Sequence, residues 1–179
     1  LNENVDLLEF SKNLYPMGGG DGPEATKTGL AQAYELMRAN ATTIILLYTD
    51  APPHTLANGS LTNRTSNLKP EQTALLKKNS YGKFGPLFAD WVSAAKNLRH
   101  GEKRAQVFSI LEGHIPSSYA GFYNYLSTIT GGACLYLSDS QPASISKVTV
   151  EVLLAWVSSY SYNPSHLHGV LEVLLRNSA

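Results

Sequence analysis

An α/β fold, with a Rossmann-like, mainly parallel sheet flanked by helices, is predicted by two patterns in this chain. Three apolar runs of strand length, Thr42 to Tyr48, Val107 to Leu111 and Ala133 to Leu137, read as strands. The first is β-branched and aliphatic without alternation, as in strands covered on both faces. Longer stretches with apolar residues at helical spacing lie between and after these runs. Strands alternating with helices join into parallel sheets through right-handed crossovers. The 179 residues suffice for one such domain with a substantial core.

Taken in order, Val5 to Leu14 places Val5 and Leu8 on one helical face, and Pro16 with three glycines stops it. Pro23 fits the first position of a second helix, where its missing N–H costs nothing. That helix is predicted through Leu30, Tyr34 and Met37, with Asn40 as its end signal. Pro52 and Pro53 end the first strand. Residues 55–70, rich in Asn, Ser and Thr, read as a long surface loop. A helix over Pro86 to Leu98 follows, then the second strand. Ser118 to Thr130 is predicted as a helix capped by Gly131-Gly132, leading into the third strand. Ser144 is expected to cap a last helix with Ile145, Val148, Val152, Ala155 and Trp156 in one stripe. Beyond Asn163-Pro164, Leu167 to Leu175 reads as a packing helix.

Composition narrows the classes of function. Fourteen basic and fourteen acidic side chains cancel without long runs of one sign, which argues against nucleic acid as the main partner. One cysteine, Cys134, excludes an internal disulfide and a multi-cysteine zinc site within the chain. No apolar run reaches membrane-helix length and no basic-then-apolar signal segment opens the chain. A reducing, cytoplasmic setting is therefore expected. The sequons at Asn40, Asn58 and Asn63 leave a secreted origin open.

The chemistry-bearing segments are Gly18-Gly19-Gly20-Asp21-Gly22-Pro23-Glu24-Ala25 and Thr49-Asp50-Ala51-Pro52-Pro53-His54. Asp50 follows a strand, and open α/β sheets bind ligands beyond the carboxyl ends of their strands. Asp21 and Glu24 sit at the start of the preceding helix, so the three carboxylates can converge at one sheet end. Hard divalent cations such as Mg²⁺, with Ca²⁺ or Mn²⁺ as alternatives, take oxygen ligands of this kind. The competing reading is structural: Asp21 caps the helix, Glu24 complements its dipole and Asp50 caps a turn.

These two segments, with the intervening helix and the strand Ile44 to Tyr48, resemble the von Willebrand factor type A domain family. The similarity covers about residues 1–157. It implies that residues 1–160 are the C-terminal portion of such a domain, with strands equivalent to the fourth, fifth and sixth, and that 161–179 are a packing tail. It further implies a protein-interaction module rather than an enzyme, with a metal-ion-dependent adhesion site holding Mg²⁺ through Asp21, Glu24 and Asp50. A partner's carboxylate would complete that coordination. The family's first-strand Asp-x-Ser-x-Ser is not matched in residues 1–17. A second chain or an upstream segment is then expected to pair with the Ile44–Tyr48 edge, because an exposed apolar edge invites pairing. Two alternatives are a structural interaction fragment with a degenerate metal site and a metal-assisted hydrolase using Asp50 and His54.

Overall fold

The computed structural model describes residues 23–54, 68–77, 83–113 and 115–162, with isolated positions 9, 12, 13 and 15 before them. Most of the expected helix over Val5 to Leu14, Asp21 with its glycines, most of the 55–70 loop and the tail from Leu167 therefore lie outside the described residues. Five helices and three strands follow one another here: α1 (Thr26–Leu36), β1 (Thr43–Thr49), α2 (Leu68–Leu76), α3 (Trp91–His100), β2 (Ala105–Glu112), α4 (Ser117–Thr130), β3 (Cys134–Leu137) and α5 (Pro142–Tyr162). A 3-10 turn, Gly85–Phe88, precedes α3.

The strands form one parallel sheet in the order β1-β2-β3. Thr43 stands opposite Ala105 and Thr49 opposite Leu111, while Ser109 to Glu112 pair with Cys134 to Leu137. On one face, Leu30 and Tyr34 of α1, Leu98 of α3, and Tyr123 and Leu126 of α4 pack with Val107 and Leu111. On the other, Val152 and Ala155 of α5 pack on Phe108. Helices on both faces of a parallel sheet are the α/β arrangement that the sequence predicts.

The two ladder-sharing strands differ in burial. Seven of the eight β2 residues are buried, whereas every β1 residue is at least partly exposed. Yet β1 is covered above and below: Ile45 and Leu47 pack into one core cluster, Ile44 and Leu46 into the other. Its exposure therefore comes from the side, where among the described residues no strand pairs with it.

Three boundaries depart from expectation. The helix predicted over Pro86 to Leu98 is split, because Asp90 interrupts it and caps a new one. The Asp90 Oδ1 accepts from the Ser93 N–H at 2.8 Å and its Oδ2 from the Ser93 hydroxyl at 2.7 Å. α2 occupies the end of what reads as a loop. Ser144 lies inside α5 rather than at its cap: the helix starts at Pro142, and just before it the Asp139 carboxylate accepts from the Gln141 N–H at 2.9 Å.

Asp90→Ala is expected to cost about 1 kcal/mol, the usual value of an N-cap, in denaturant unfolding. Partial burial raises the Asp90 carboxyl, but the Ser93 N–H and hydroxyl outweigh it and leave the pKa lowered. A carboxylate lowered in the folded state stabilises above its unfolded pKa and loses that contribution as pH falls through the folded value. The difference between native chain and variant should therefore shrink in acid.

Candidate functional site

At the carboxyl ends of the strands the two motif segments are stitched together through backbone. The Glu24 N–H donates to the Pro52 carbonyl at 2.8 Å, and the His54 N–H donates to the Glu24 carbonyl at 2.9 Å. The result is an isolated parallel bridge between Glu24 and Pro53. Proline is compatible there because the bridge uses only the groups flanking Pro53, which has no N–H of its own. Thr49 tightens the adjoining turn: its hydroxyl donates to the Ala51 carbonyl at 3.0 Å and accepts from the Ala51 N–H at 3.2 Å.

Beneath this clasp lies a buried ionic cluster that the sequence reading missed. Lys27 and Glu71 side chains are 1% and 2% exposed, with Nζ 2.8 Å from Oε2. The ammonium also donates to the His54 carbonyl at 2.9 Å and lies 5.4 Å from the centre of the Trp91 ring. Three donors thus meet a carboxylate, a carbonyl and an aromatic face. The other carboxylate oxygen of Glu71 accepts from the Thr28 N–H at 3.1 Å and its hydroxyl at 3.2 Å. His54 is itself buried, with Nδ1 3.3 Å from Glu71 Oε2. One signal was available: Lys27 shares the helical stripe of Leu30, Ala31 and Tyr34, so its stem must enter the core. Glu71 gave none, since its partner is 44 residues away.

Above the cluster, Glu24 and Asp50 are exposed and line one open cavity of about 480 Å³ between α1 and β1. Its walls are Ala25, Gly29 and Ala33 on α1 and Ile45, Leu47 and Thr49 on β1. At the same strand ends the Tyr123 hydroxyl donates to the Ala51 carbonyl at 2.9 Å and stands 3.4 Å from the Thr26 hydroxyl. Burial raises the Tyr123 pKa; hydrogen bonds from Thr26 and Thr49 oppose this, and the Glu24 and Asp50 charges add to it.

Glu24 and Asp50 are the described members of the expected cation set, and Asp21 lies outside the described residues. Among the described residues, no group of three His, Cys, Asp or Glu could hold a metal. His54, the second residue of the hydrolase alternative, is enclosed beside Lys27 and Glu71. Cys134 is half-buried against the core, and burial pushes its thiol up to about 11, away from the thiolate form that reacts. No helix among the described residues is long and apolar enough to cross a membrane.

No protein-family model matches the chain, and no solved structure matches it. The chain is similar to a protein of Acanthamoeba polyphaga mimivirus named as an ariadne-like RING finger protein, with 31% identity over 150 residues. The match covers 84% of this chain but 13% of the relative, so the chain spans about an eighth of that protein's length. A RING is a zinc fold built on several Cys and His ligands. With one cysteine in 179 residues, the shared stretch is not that fold. These findings correct the reading drawn from the family resemblance. The named relative is a RING finger protein and no von Willebrand factor type A model matches. The chain is therefore not assigned to that family or to its adhesion-type interaction function.

Proposed function

We propose that this α/β unit is a protein-docking module, accompanying a RING-finger portion in a larger ariadne-like protein and holding a second polypeptide segment as an added strand along β1. The open β1 edge carries the reading. Both faces of β1 are packed by helices, yet its side gives onto the 480 Å³ groove under α1. Among the described residues no strand takes up the outward backbone donors and acceptors of β1, and such a row beside a groove is a platform for strand addition. The similarity to a RING finger protein supports protein interaction in general, and the β1 edge beside the groove supports docking by strand addition. No covalent step is assigned to Cys134.

Gly29 provides the test. A Cβ built there meets nothing within 4 Å, so the position is open to the groove. Gly29→Ala should stabilise α1 by about 0.5–1 kcal/mol by removing a glycine from a helix interior, read by thermal unfolding. Gly29→Phe should leave the fold intact and fill the space that a docked strand needs. Hydrogen exchange on the complete protein reads the outcome: the outward β1 amides should be protected, and Gly29→Phe should expose them. Rapid exchange of those amides in the unmodified complete protein would overturn the reading.

A further inference from the structure

The helices on one face of the sheet carry a direction that the three strands alone do not. On that face α1 touches α3, and α3 touches α4. The strands beneath them run in the order β1-β2-β3. α3 lies in the crossover from β1 to β2, and α4 in the crossover from β2 to β3. Crossovers between parallel strands are right-handed, so helices on one face step the sheet the same way. α1 is on this face too, in the connection that leads into β1. The strand from which that connection comes therefore stands on the side of β1 away from β2, which is the open side.

The space at that edge suits such a neighbour. α4 touches both strands that it joins, β2 and β3. Next to α1 only β1 is present among the described residues, and the groove of about 480 Å³ opens between them. Ala25, Gly29 and Ala33 line the helix side of this groove, and such small residues let a backbone approach closely. β1 itself is packed from both faces, through Ile45 and Leu47 on one and Ile44 and Leu46 on the other. A strand laid beside it enters the same two-sided setting, which calls for a continuous apolar run rather than alternation.

Resting on the docking reading above, we infer that the strand held at the β1 edge is an apolar segment of the same polypeptide, N-terminal to α1 and parallel to β1. Two features place it before Glu9. Glu9 and Lys12 are helical, and the run from Pro16 to Gly22 holds four glycines, which weaken a strand interior. A second copy is the poorer occupant. Two copies joined through β1 by a two-fold axis pair antiparallel and leave the connection into α1 without its strand.

The experiment uses the complete protein grown with photo-leucine, a photoreactive residue of nearly leucine's own size. Leu46 and Leu47 then report, by mass spectrometry of the cross-linked peptides, what lies beside β1. Besides α1 and α5, they should join to a peptide N-terminal to Glu9. A mixture of isotope-labelled and unlabelled protein should give no mixed products, and the yield should be unchanged on dilution. In Gly29→Phe this cross-link should be lost. Mixed products, or joining to a different polypeptide or to a segment beyond α5, would overturn the N-terminal strand while leaving docking at β1. Cross-links to α1 and α5 alone would overturn it as well. Rapid exchange of the outward β1 amides in that last case would sink the docking reading together with this inference.

Discussion

Glu71→Ala should destabilise the chain by about 3–5 kcal/mol, because it strands the Lys27 ammonium in the core. Lys27 is 1% exposed and Glu71 supplies its only anionic partner among the described residues, at 2.8 Å. The carbonyl of His54 and the face of Trp91 remain, but neither neutralises a charge. The same substitution removes the acceptor for the Thr28 N–H and hydroxyl, loosening α1 near its start. Equilibrium unfolding of Glu71→Ala and of the double variant Lys27→Met, Glu71→Leu separates cause from accident. Replacing both charges with apolar groups of similar size should recover most of the loss. If the double variant is as unstable as the single one, the cost is packing and the ionic account fails. The consequence reaches the groove, since Lys27 holds the His54 carbonyl while the His54 N–H holds Glu24.

Gly132→Ala is expected to cost at least about 3 kcal/mol, at the upper end of overpacking substitutions. A Cβ at Gly132 would lie 2.0 Å from the Val107 carbonyl oxygen, and that atom belongs to the central strand. No side chain can swing aside there. The residue also finishes α4: the Gly132 N–H donates to the Ser127 carbonyl at 2.8 Å and the Gly131 N–H to Thr128 at 3.2 Å. With Gly131 at φ 79°, this is the double closure of a helix ending in the left-handed region. Gly131→Ala should cost only about 1 kcal/mol, since it meets conformational strain without the backbone collision. Chemical denaturation of the two variants side by side checks the ranking. Equal losses would mean that the Gly132 approach relaxes freely.

How much of this was legible beforehand follows from the range of each interaction. The three strands emerge within a residue or two of their predicted limits, because apolar runs bounded by prolines and glycines are local signals. Gly131-Gly132 announced the end of α4 for the same reason. The break at Asp90 was missed because a continuous apolar stripe through Phe88 and Trp91 hid a capping side chain. The Lys27–Glu71–His54 cluster was missed because its members are 17 to 44 residues apart, and charged residues are ordinarily assigned to the surface. The carboxylate pattern was visible, but a pattern of acids does not distinguish a ligand set from exposed rims on a groove. The family reading built on that pattern did not survive comparison with known proteins.

The sequence alone determined the α/β class, the parallel strands and the backbone segments that meet at their carboxyl ends. Period, proline placement and glycine spacing are properties of neighbouring residues. Only the tertiary structure decided that β1 is half-buried from its side and that Lys27 and Glu71 share the core. Each of those depends on which distant segments the sheet brings together. No local pattern contains that information, because burial and electrostatic pairing are set by three-dimensional distance rather than by position along the chain.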